Sequence, residues 1–149
     1  MKKISYLVLC LLLVNLLAAC GLLPQNHRDF TFYQAKENIT ELSRVYITWD
    51  EGFRNMTIEV KETIGDEKLT PALQALCELP CTDSPFEPRD TPYGKCYMIK
   101  YADGNYQLLY KYCNNYYDTG NKLLNAEFLS FHDEEFFSLW NCGLSSIEN

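Results

Sequence analysis

The chain has 149 residues, 47% hydrophobic and 14% aromatic, enough for one domain with a packed core. Its formal net charge is −7. So acidic a balance argues against nucleic acid, whose binding rests on Lys and Arg neutralising phosphates, and against electrostatic adhesion to anionic lipid.

Lys2 and Lys3 open the chain, and an apolar run from Ile4 to Leu17 follows, interrupted only by Ser5 and Asn15. A spanning helix needs roughly 20 apolar residues. The basic start, short apolar middle and small-residue end are those of a removed secretory signal. The run closes on Leu17-Ala18-Ala19-Cys20. This stretch resembles the lipobox of bacterial lipoprotein precursors, and the resemblance covers residues 1–20. It implies cleavage before Cys20, a diacylglyceryl thioether on the Cys20 sulfur and an N-acyl chain such as palmitate. It also implies an extracytoplasmic protein, lipid-anchored to the cell membrane or outer membrane. Several acyl chains, at about 0.8 kcal/mol per buried CH₂, hold firmly where a single myristoyl chain binds reversibly. Plain secretion after the same cleavage is the alternative; Leu17 fits the A-x-A preference poorly, which counts against it. Losing Lys2 and Lys3 with residues 1–19 takes the net charge from −7 to −9 and leaves 130 residues.

Residues 20–29 lack periodicity and read as a lipidated tether, with a single domain over residues 30–149. Phe30-Thr31-Phe32-Tyr33 suits a short strand or an apolar plug for the domain edge. Asn38 to Leu42 is expected to make one helical turn. From Arg44 to Asp50 and from Asn55 to Lys61, apolar and polar residues alternate with period two, the mark of half-buried strands. Glu51-Gly52-Phe53-Arg54 is the turn between them. Asp66 to Leu79 reads as a helix: Leu69, Leu73 and Leu76 form a stripe, Pro71 sits near its start and Pro80 stops it. Cys81 to Gly94, with three prolines, is a long surface loop of the kind that carries function.

Cys96 to Cys113 reads as two strands around Asp103-Gly104-Asn105. Any two-residue turn there puts Tyr97, Ile99, Tyr101, Tyr106, Leu108, Tyr110 and Tyr112 on one face. A type II′ turn at Gly104-Asn105 sets Cys96 opposite Cys113, close enough for a cross-strand disulfide. A type I′ turn at Asp103-Gly104 offsets them. The bridged register is the expectation and the offset one the alternative. Asn114 to Leu124 reads as a polar turn, Asn125 to His132 as a strand, and Asp133 as the cap of a last helix that Gly143 ends. Together these predict an α+β fold: an antiparallel sheet of about five strands with two helices packed on one face.

Cys77, Cys81, Cys96, Cys113 and Cys142 follow Cys20. An export signal permits disulfides, and five is odd, so at least one thiol stays out of any intrachain pairing. Cys77-x₃-Cys81 lacks further Cys or His for zinc and is not the C-x-x-C of a redox motif; a local bridge, or one of the two pairing with Cys142, is expected. His132 and Cys142 are the one candidate thiol–imidazole pair, but no nucleophile motif surrounds either. No Gly-rich phosphate loop, G-x-S-x-G or H-E-x-x-H occurs, so neither catalysis, cofactor nor metal is expected. Tyr93, Tyr116 and Tyr117, beside loops, are the candidate contact surface, since tyrosine presents an apolar ring and a polar tip. The functional expectation is an envelope lipoprotein that binds protein or envelope polymer and no nucleic acid. A small secreted inhibitor, or a thiol enzyme using Cys142 and His132, is the alternative.

Overall fold

The computed structural model describes residues 27–84 and 91–147. The lipobox, Cys20 and most of the tether lie outside these residues, as do residues 85–90 of the long loop. The strands are β1 (His27–Arg28), β2 (Ile39–Trp49), β3 (Met56–Ile64), β4 (Cys81–Asp83), β5 (Gly94–Tyr101), β6 (Tyr106–Tyr110), β7 (Cys113–Tyr117) and β8 (Leu123–Phe131). The α-helices are α1 (Leu69–Cys77) and α2 (Asp133–Cys142). Among the described residues the strands form one antiparallel sheet in the order β1-β4-β8-β7-β6-β5-β2-β3.

The α+β class and the placing of both helices on one face hold. One core cluster contains Leu73 and Leu76 of α1 and Phe136 of α2, set against Tyr97, Ile99 and Phe131 of the sheet. The cluster on the opposite face, around Val45, Ile47, Cys96, Met98 and Leu108, draws its buried residues from strands alone. Full burial of Leu76 and Phe136 stabilises by roughly 1.5–3 kcal/mol apiece. Pro71 falls in the first turn of α1, where its missing N–H would have had no helical partner. Central β5 is buried on both faces, whereas edge β3 is mostly exposed. A bulge opposite Arg44/Val45, with Lys61 and Glu59 paired on the surface, keeps β3 a poor template for a further strand.

The strand count exceeds the expected five because three short strands lack a legible pattern. β4 lies in the proline-rich loop, and β7 lies where the sequence reads as a polar turn. β1 occupies the end of the expected tether. The turn expected at Asn38 to Leu42 is displaced: a 3₁₀ turn covers Lys36–Asn38 and β2 begins at Ile39. Asp66–Lys68 is likewise 3₁₀, ahead of α1. His132, not Asp133, is the N-cap of α2; Asp133 is its first helical residue and pairs with Lys111 at 2.5 Å.

The β5–β6 register corrects both turn readings. Lys100 faces Tyr106 and Ile99 faces Gln107, which leaves a three-residue loop, Ala102-Asp103-Gly104. Gly104 N–H donates to Tyr101 O at 2.9 Å, and Tyr101 N–H to Asn105 O at 3.0 Å. Gly104 sits at φ +86, a left-handed position that glycine takes without strain. One added loop residue turns every β6 side chain to the other face. Tyr106, Leu108 and Tyr110 therefore lie opposite the helices, and Gln107 and Leu109 join Tyr97, Ile99 and Tyr101 beneath them. β6 also ends earlier than expected, at Tyr110, which pairs with Cys113 across the Lys111-Tyr112 turn.

Candidate contact surface

The end of the sheet where β2 turns into β3, β5 begins and β6 turns into β7 carries three exposed aromatics: Phe53 at 64%, Tyr93 at 59% and Tyr112 at 39%. Asp50 builds the first of these turns. Its carbonyl accepts Phe53 N–H at 3.0 Å, and its carboxylate accepts Arg54 N–H at 2.8 Å and Asn55 Nδ2 at 2.6 Å. This geometry puts Phe53 at φ +53 with its ring in solvent. A bulky residue in that region is an outlier, and such strain concentrates at sites that bind. Beside it, Trp49 Nε1 donates to Pro92 O at 2.7 Å and ties the described end of the long loop to β2. That bond leaves Tyr93, the next residue, near the sheet end.

The three candidate tyrosines do not form one surface. Tyr93 is exposed as expected. Tyr116 lies on the helix-bearing face, half-buried and stacked on Tyr33 with centroids 5.0 Å apart. Tyr117 lies on the opposite face, buried and stacked on Tyr106 at 5.2 Å. Adjacent strand residues point to opposite faces, so Tyr116 and Tyr117 cannot act together. Phe53 was hidden within a four-residue turn; an aromatic among Glu51, Gly52 and Arg54 is the signal that marks it.

No disulfide joins the expected cysteines among the described residues; Cys77, Cys81, Cys96, Cys113 and Cys142 are all thiols. Cys96 on β5 and Cys113 on β7 are separated by a whole strand, with Tyr110 of β6 between their rows. Burial pushes the Cys96 thiol well above its usual range, and Cys113 adds to the effect. Cys81 is committed to β4, where its Sγ donates to Arg28 O at 2.6 Å, and burial pushes its thiol up to about 11. Cys77 ends α1, and burial raises its thiol as well.

His132 and Cys142 stand at opposite ends of α2, about 15 Å apart along the axis at 1.5 Å per residue. They form no thiol–imidazole pair. His132 Nδ1 instead lies 3.9 Å from Glu135. Cys142 opens on a shallow surface depression of about 530 Å³ lined by Glu134, Glu135, Ser138 and Leu139. Among the described residues, no group of three or more His, Cys, Asp and Glu is arranged to hold a metal ion, and no helix is long and apolar enough to cross a membrane. No protein-family model, curated protein or solved structure matches the chain.

Proposed function

We propose that the chain is a cell-envelope lipoprotein, anchored through acylated Cys20, whose α+β domain holds a protein or envelope polymer near the membrane surface. The observation that carries the reading is the Leu17-Ala18-Ala19-Cys20 leader. The start of the domain agrees with a short anchor. Only six residues separate Cys20 from β1, so the domain lies at most roughly 25 Å of extended chain from the bilayer. Arg28 is already fastened to Asp83 and Glu127.

The contact surface in this reading is the sheet end bearing Phe53, Tyr93 and Tyr112. Of these, Phe53 lies at the β2–β3 turn, far across the strand order from β1, where the anchor enters, while Tyr93 precedes β5 and Tyr112 lies mid-sheet at the β6–β7 turn. At about 4.8 Å per strand, the seven spacings between β1 and β3 amount to roughly 34 Å of sheet. An exposed ring near that far edge, as Phe53 is, serves a partner better than the lipid surface.

The test is metabolic labelling with palmitate and membrane fractionation of the wild type and Cys20→Ser. Label on the wild type alone, with the variant released from the membrane, supports the reading. A variant that still carries label and still sediments with the membrane overturns it.

A further inference from the structure

Residues 28–34 cross the helix-bearing face as a strap that bends at Tyr33 and Gln34, and after the two residues of β1 the strap belongs to no strand. What holds its backbone is a row of side chains. Gln107 and Asn114 are fully buried there. Gln107 Nε2 donates to Thr31 O at 3.0 Å and to Asn114 Oδ1 at 2.6 Å. Its Oε1 accepts the Tyr101 hydroxyl at 2.5 Å and Tyr33 N–H at 3.3 Å. Asn114 Nδ2 donates to Thr31 O at 2.9 Å and to Glu127 Oε2 at 2.8 Å. Both carboxamides are saturated, and each commits one N–H to the same strap carbonyl. In an extended chain the C=O of one residue and the N–H two residues on share a side, so Gln107 reads Thr31 and Tyr33 as a neighbouring strand would. Side-chain recognition flanks this centre: Arg28 on Asp83 and Glu127, Phe30 against Phe131, Tyr33 on Tyr116, and Gln34 Nε2 to Asp103 at 2.7 Å.

We infer that this face is a binding groove for an extended peptide, filled in the monomer by residues 28–34 and able to take the same segment from a second copy of the chain. The strap can leave without disturbing a ladder beyond β1, and it joins β2 only through Ala35 and one 3₁₀ turn. Emptying the groove would strand buried N–H donors on Gln107 and Asn114, so the groove favours exchange over vacancy. A second copy supplies each matched group by identity, and swapping an identical element is a low-cost route to a dimer.

The probe is a fluorescent peptide spanning residues 28–36, titrated into the full mature chain and followed by anisotropy. Arg28→Ala and, separately, Phe30→Ala weaken the resident strap and leave the groove intact. Saturable binding should be at least about tenfold tighter to these variants than to the wild type, because apparent affinity rises with the fraction of open groove. Gln107→Leu combined with Arg28→Ala should lose that gain. Circular dichroism melts establish that each variant is folded. No saturable binding to either folded strap variant overturns the inference, as does equal binding of a scrambled peptide.

Discussion

Arg44 and Glu62, paired across β2 and β3 with Nε and Oε2 2.6 Å apart, divide the chain leaving α2 between them. The Arg44 guanidinium donates to Trp140 O near the helix C-terminus and lies 5.2 Å over the Trp140 ring. Glu62 accepts Leu144 N–H at 2.9 Å and Ser145 N–H at 2.8 Å, at the start of the 3₁₀ turn that follows. The cation thus meets a carbonyl at the helix C-terminus, as the helix dipole favours, and the anion accepts N–H groups of the 3₁₀ turn that follows. Gly143, at φ +94, lets the chain turn between the two.

Burial acts to raise the Glu62 carboxyl, but bonds from Ser145, Leu144 and Arg44 outweigh it and hold the group at about 2, below its ordinary 4.5. A depressed folded value stabilises the protein above pH 4.5, and that contribution disappears as pH falls toward 2. Thermal melts across this window should show the loss in the wild type and a flatter profile in Glu62→Gln. At neutral pH, Glu62→Gln should cost about 1–3 kcal/mol, the worth of hydrogen bonds to a charged group. Identical profiles would remove Glu62 from the docking of α2.

Phe53 should separate binding from stability. Phe53→Gly relieves a left-handed residue, so the domain should gain roughly 1 kcal/mol, read as a higher urea midpoint. The same change removes an exposed ring from the proposed contact surface, so material recovered with the protein from detergent-solubilised membranes should fall. Gain of stability with undiminished recovery would leave Phe53 strained for no binding purpose.

The thiols should react in order of access. Cys142 is exposed, while Cys81, Cys96 and Cys113 are buried. Peptide mapping after brief maleimide treatment at neutral pH should find Cys142 labelled, and Cys81, Cys96 and Cys113 labelled only after denaturation. A reductant should leave the melting temperature unchanged. A drop on reduction would reveal a disulfide.

Gly104 is required on two counts. A Cβ there would lie 2.8 Å from Thr119 Cγ2, in addition to the cost of its φ. Gly104→Ala should cost about 1–3 kcal/mol. In a Thr119→Ser background, which removes that methyl, the penalty should shrink toward the conformational part, roughly 1 kcal/mol. Urea titrations of the four chains form the cycle that checks it.

Much of the architecture could be read along the chain. The alternation around Val45 and Ile58 marks β2 and β3, the Leu73–Leu76 stripe marks α1, and Gly143 marks the end of α2. Those features depend on residues close in sequence. The short strands escaped because three to five residues, in β4 and β7, contain too little of a period to stand out from a polar loop. The contact surface was legible at Tyr93 alone, since exposure at Phe53 and burial at Tyr117 depend on what packs nearby.

The sequence by itself determined the acidic balance, the α+β class and the first hairpin, β2 to β3. Tertiary structure decided which face each β6 residue occupies, and hence that Gln107 lies under the strap and that Cys96 and Cys113 stand two strands apart. The reason is geometric. A period-two pattern states that a strand has two faces, but one residue more or less in the adjoining loop chooses between them. Only the register in which the two strands pair shows which loop length the chain has adopted.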